Sequence, residues 1–134
     1  MSKPFNLTIV TPDGLAFQGD VESLLVRTDD GDVEILAGHA DYVATVAIGR
    51  TRLRIGDTER YASSSGGFLS VKHGEVNLTL TTFEFADDID KARAVSAKES
   101  AEEAISKAKT ERDVDVAKAK LKRALNRLNV IGMK

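Results

Sequence analysis

The chain contains no cysteine. Disulfides, thiolate metal sites and cysteine nucleophiles are excluded, and a reducing compartment fits. Aromatic residues make up 5% and hydrophobic residues 42% of the 134 residues. That supports one ordinary domain, or a small domain with an appendage, around a modest core. No apolar run approaches the roughly 18 residues that cross a bilayer. The opening Met1-Ser2-Lys3-Pro4 leads into no apolar signal-peptide region, so a soluble protein made in the cytoplasm is expected. Histidine is scarce as well, with only His39 and His73, each in a glycine-flanked turn. Neither a Gly-x-Ser-x-Gly elbow nor a Walker loop occurs. Ser63 to Gly67 lacks the following helix that a phosphate-binding loop needs and reads as a connection. Asp29-Asp30 reads as a turn, and Asp87-Asp88 as the cap of a helix, rather than as acid/base pairs. On its chemistry alone the chain is a non-enzyme.

Acidic residues are absent after Asp115, whereas Lys118, Lys120, Lys122, Arg123, Arg127 and Lys134 are all basic. Residues 1–89 hold 7 basic and 14 acidic side chains, net −7; residues 90–134 hold 12 and 7, net +5, which together give the −2 of the whole chain. Such a split points to two parts with different partners. Without interleaved aromatics the basic part does not read as a nucleic-acid surface.

What is present falls into two patterns. Phe5, Leu7 and Ile9 alternate with Asn6, Thr8 and Val10, the two-residue period of a half-buried strand. Thr11-Pro12-Asp13-Gly14 stops that run. Further short strands are read at 21–28, 33–36, 42–48, 51–55, 68–71 and 76–82, with turns at Gly56-Asp57 and His73-Gly74. About ten short strands with closely spaced turns predict an antiparallel β-sandwich or flattened barrel over residues 1–86.

From residue 87 to 134 the period becomes helical. Ala94, Ala97, Ala101, Ala104 and Ala108 form one stripe, and Val114, Ala117, Leu121, Ala124, Leu125, Leu128 and Ile131 another. Two antiparallel helices are expected, with Thr110 and Asp113 supplying a cap for the second. Neither Gly nor Pro separates them, so one long rod is the alternative. Methyl groups bury little area, and the predicted seam is thin enough for a hairpin that is held loosely and moved.

Several motifs carry a family resemblance. The run Gly31 to Gly49, GDVEILAGHADYVATVAIG, resembles the hallmark segment of the epsilon subunit of rotary, proton-translocating ATP synthases. The match continues at Gly66-Gly67-Phe68-Leu69, at Ala86-Asp87-Asp88-Ile89-Asp90 and at Lys122-Arg123-Ala124-Leu125-Asn126-Arg127-Leu128, so it spans essentially the whole chain. The usual loop prolines are Ala37 and Asp41 here, which predicts a looser loop.

The resemblance implies a non-catalytic central-stalk subunit that couples rotation to ATP synthesis and restrains ATP hydrolysis. Its β domain would bind the gamma shaft subunit and the c ring, with Asp32 toward the ring and His39 toward the shaft. The subunit would lie peripherally on the cytoplasmic face of the bacterial inner membrane, touching the membrane only indirectly. An extended hairpin would reach the alpha/beta catalytic head, with Lys118, Lys122, Arg123 and Arg127 docking on an acidic loop of the beta subunit. No cofactor is required. ATP is implied as a regulatory ligand of the folded hairpin, through Ile89, Asp90, Arg93 and Ala94, with Glu84, Arg123 and Arg127. A further family arginine falls at Ser100. The reading that does without the family is a free-standing adaptor with a basic hairpin.

Overall fold

The computed structural model describes residues 3–133. Seven strands come first: β1 (Phe5–Thr11), β2 (Gly14–Val21), β3 (Ser23–Thr28), β4 (Gly31–Ile35), β5 (Tyr42–Ile55), β6 (Thr58–Lys72) and β7 (Glu75–Phe85). A single 3₁₀ turn, Ala86–Asp88, leads to helix α1 (Lys91–Lys107) and then α2 (Glu111–Ile131). The strand order is β2-β1-β7-β6-β5-β3-β4, antiparallel except where β1 runs parallel to β7. This is the expected β-sandwich followed by a two-helix hairpin.

The described residues form seven strands rather than about ten, and two expected breaks lie inside long strands. β5 and β6 bend and serve both layers. Their pairing runs from Tyr42↔Val71 to Val46↔Gly67, lapses, and resumes from Gly49↔Ser64 to Ile55↔Thr58. The stretch read as a connection, Ser63 to Gly67, is therefore the middle of β6. Its serines are buried and find partners: Ser64 and Thr51 hydroxyls share a 2.6 Å hydrogen bond, and those of Ser65 and Thr82 one of 2.5 Å. Gly67, at φ +130°, takes the bend, and a Cβ there would lie 1.9 Å from the Thr79 carbonyl oxygen. Strand β2 had no alternating signal. Its pairing with β1, from Phe5↔Val21 to Ile9↔Phe17, makes it a strand.

The core belongs to the sandwich. Leu7 and Ile9 of β1 sit beside Val76 and Leu78 of β7, and with Leu24, Val26, Ile35, Leu53 and Leu69 they are fully or almost fully buried. No helical residue joins that cluster among the described residues. The buried helical side chains are Ala94, Ala101, Ala117, Ala124 and Val130. Ala97 and Ala104, expected in the seam, are exposed and line clefts beside it.

The helices separate at Ala108–Thr110, without glycine or proline. Thr110 Oγ1 accepts from the Asp113 N–H at 3.1 Å, the predicted cap. Asp87 and Asp88 do not cap α1. They sit in the 3₁₀ turn, and Asp90 caps instead, its Oδ1 accepting from the Arg93 N–H at 3.1 Å. The apolar stripe of α2 is also divided: Leu125 is 44% exposed while Ala124 is fully buried, and Val130, outside the stripe, is fully buried too. The helix has two neighbours. Ala117, Lys120 and Arg123 border clefts toward α1, and Lys122, Leu125 and Asn126 border one toward Arg27, Gly49 and Arg50 of the sheet.

Candidate functional site

The end of β7, the 3₁₀ turn, the first turns of α1 and the last third of α2 enclose a cleft of about 200 Å³. Glu84, Asp88, Ile89, Asp90, Arg93, Ala94, Ala97 and Arg127 line it. Asp90 is held at the mouth by its capping bond to Arg93. Arg127 Nε donates to Glu84 Oε1 at 2.6 Å, both side chains only partly exposed. Three carboxylates and two guanidinium groups thus surround a small space, with Ile89, Ala94 and Ala97 completing its lining. The carboxylates can accept from hydroxyl or amino groups, and the guanidinium forks suit phosphate oxygens.

Of the residues singled out for nucleotide binding, Glu84, Ile89, Asp90, Arg93, Ala94 and Arg127 converge on this cleft, though they are spread over more than forty positions of sequence. Arg123 does not. It lines a neighbouring cleft of about 290 Å³ with Ser100, Ala101, Ala104 and Lys120. Ala97 and Arg127 line both, so the two spaces adjoin. Ser100 occupies the second wall, where an arginine would have added another cation.

The basic residues of α2 do not share one face. Arg123 borders the cleft toward α1, Arg127 lies between α1 and Glu84 of β7, Lys122 borders the sheet and Lys118 is exposed. Lys134 lies outside the described residues.

Asp32 and His39 lie elsewhere on the sandwich. Asp32, in β4, sits opposite Arg27 of β3 and pairs with its Nε at 2.6 Å and with Arg50 Nη2 at 3.6 Å. The hydrogen bond from Arg27 holds the Asp32 carboxyl below its ordinary value and raises Arg27 in turn. Next along, Glu34 Oε2 accepts from Ser23 Oγ at 2.8 Å and from Arg52 Nη2 at 2.5 Å, and Glu34 too is lowered, first by the Ser23 bond. His39 Nδ1 lies 2.7 Å from the Ala40 carbonyl oxygen, to which the Nδ1–H tautomer donates, and its ring meets Tyr42 edge-on. Asp41 accepts from the His73 N–H at 3.0 Å and so ties the loop to the β6–β7 turn.

Sequence reasoning missed Asp88 and Ala97 in the cleft. It also missed Asn126, whose Nδ2 donates to the Gly49 carbonyl at 2.8 Å and to Ser63 Oγ at 2.9 Å. Asn126 stood within the motif run 122–128, but nothing in the sequence pointed to its bonds with the sheet.

Sandwich, hairpin and the cleft between them define a two-module binding subunit, and comparison with known families divides the chain in the same way. Residues 4–86 match the model described as ATP synthase, Delta/Epsilon chain, beta-sandwich domain. Residues 87–132 match ATP synthase, Delta/Epsilon chain, long alpha-helix domain. The chain belongs to the delta/epsilon chain family of ATP synthase. It is 44% identical over 130 residues to the ATP synthase epsilon chain of Bacillus pumilus and 41% identical over 130 residues to that of Bacillus velezensis. Each alignment covers 97% of this chain and 98% of the relative. The fold recurs in a chain of the Euglena gracilis mitochondrial ATP synthase OSCP/F1/c-ring structure, with TM-score 0.81 at 24% identity over 93% of this chain and 79% of that one. A chain of the Tetrahymena thermophila mitochondrial ATP synthase central stalk/c-ring matches with TM-score 0.68 at 12% identity, covering 97% and 98%. Among the described residues no helix is long and apolar enough to cross a membrane.

Proposed function

We propose that this chain is a non-catalytic central-stalk subunit whose hairpin senses ATP and, when released, restrains ATP hydrolysis. The β domain, residues 1–86, binds the gamma shaft and the c ring through surfaces that include His39 and Asp32. The hairpin, residues 87–134, regulates. In this reading the subunit sits on the cytoplasmic face of the bacterial inner membrane and meets the membrane only through its partners.

The observation that carries the proposal is the composition of the cleft. Glu84 belongs to the sandwich, Asp90 and Arg93 to the start of α1, and Arg127 to α2. They line one space only while the hairpin is folded back. A nucleotide bound there adds its free energy to the parked state and none to the extended one, so it shifts the population toward parking. Asp90 and Glu84 serve the base and ribose, and Arg93, Arg127 and Arg123 the phosphates. Ser100 supplies no cation, which favours weak binding suited to millimolar ATP. The released α2 presents Lys118, Lys122, Arg123 and Arg127 to the acidic surface of the catalytic head.

Calorimetric titration of the full-length chain with ATP and ADP is the test. Heat with ATP, reduced about tenfold or more in affinity by Arg93→Ala, is expected. Absence of heat at millimolar ATP ends the sensing role. For the latch, replacing the four basic residues by Ala in the assembled complex raises its ATPase; unchanged ATPase removes electrostatic docking.

A further inference from the structure

Two consecutive residues of α2 grip two neighbouring rungs of the sheet. Ser63 of β6 pairs with Arg50 of β5 on one side and with Glu84 of β7 on the other. Gly49 precedes Arg50 directly, at the point where the interrupted β5–β6 ladder resumes. Asn126 donates both hydrogens of its carboxamide here, to the Gly49 carbonyl and to Ser63 Oγ, and Arg127 donates to Glu84. Three directional bonds from neighbouring helical positions thus span three strands.

We propose that Asn126 is the positioning residue that sets the rotation and height of α2 on the sheet, and thereby places Arg127 against Glu84. The inference rests on the reading of the cleft and arm given above. The physical need is register. A seam of alanine methyls tolerates sliding, because methyls interdigitate weakly and are all alike. A slip of one residue moves the helix by about 1.5 Å and turns it by about 100°, which carries Arg127 away from Glu84. Hydrogen bonds, being directional, forbid that slip where the apolar seam does not. Asn126 is only half-buried and Ser63 is covered while the bond is made, and water takes both over when α2 leaves. The clamp therefore specifies position without welding the arm.

The test uses the full-length chain with Asn126→Ala, Ser63→Ala and the double variant. Two readouts need no nucleotide: the NMR resonance of the Arg127 Nε–H, sheltered by Glu84, and hydrogen exchange of the α2 amides. In Asn126→Ala the Nε–H loses its protection and α2 amides exchange about tenfold faster, while β1 and β7 amides do not change. Ser63→Ala gives a smaller effect and adds nothing to Asn126→Ala, since the two act through one bond. If Asn126→Ala leaves both the Arg127 signal and α2 exchange as they were, the proposal is overturned. So too if the two single effects simply add. Calorimetry on the unaltered chain separates this from the nucleotide reading: with no ATP heat that reading fails, and the two signatures still decide the role of Asn126.

Discussion

The sandwich and the hairpin are held by different means. The sandwich buries Leu7, Ile9, Leu24, Leu53, Leu69 and Leu78 completely, in strands joined by long hydrogen-bonded ladders. The hairpin buries four alanines and one valine. A buried Leu or Ile contributes about 1.5–3 kcal/mol and an alanine methyl about 0.8 kcal/mol. What fastens the hairpin to the sheet is largely polar: Asn126 on Gly49 and Ser63, and Arg127 on Glu84. Polar bonds that water can replace contribute little net free energy but fix geometry. One module is thus built to stay and the other to be placed accurately and let go.

The largest way to strain this contrast is a cavity in the sandwich. Leu78→Ala, at a fully buried site between β1 and β6, lowers global stability by about 2–5 kcal/mol in chemical denaturation. An enlarging change on the hairpin side comes next. Ala124 is fully buried in α2, and Ala124→Leu overpacks the thin seam at a cost of about 1–3 kcal/mol. That cost falls on the parked state, so α2 exchange accelerates while the denaturation midpoint of the sandwich stays put. Equal losses in both would show that the two modules are one cooperative unit.

The smallest effect is acid sensitivity of the β3–β4–β5 face. Asp32 and Glu34 are held below their ordinary values of 3.8 and 4.5 by Arg27 and by Ser23 with Arg52. A lowered carboxyl adds stability above its ordinary value and loses it as the pH falls through the lowered one. Stability therefore declines below about pH 4.5. Both groups are substantially exposed, so the combined loss stays below about 1 kcal/mol and shrinks with salt. Arg27→Ala removes the larger part of the Asp32 share and leaves that of Arg50, a change that denaturation at pH 3 and pH 7 would detect.

Much of this was legible in the chain. Period-two alternation marked β1 and β7, and the shift to period 3.6 marked the helices, because one face of each is buried. The long bent strands were not legible. Gly49, Gly66 and Gly67 read as breaks, yet β5 and β6 run on through them, and Ser64 and Ser65 of β6 are paired by hydroxyls of the flanking strands β5 and β7. The cap moved from Asp87-Asp88 to Asp90 because the 3₁₀ turn used the earlier residues first. Most of the cleft was foreseen through motif resemblance rather than spacing. Arg123 fell in the adjoining cleft because α2 rotates it toward Ser100 and Ala101. Asn126 carried too faint a signal, since its partners lie 63 and 77 residues away.

The most direct test of provisional parking is residue-resolved hydrogen exchange on the full-length chain, comparing helix amides at 91–131 with those of β1 and β7. Opening of the arm without unfolding of the sandwich predicts helix exchange on the order of a hundredfold or more faster than the strands, slowed by millimolar ATP. Helices and strands exchanging at one common rate, unmoved by ATP, would contradict it.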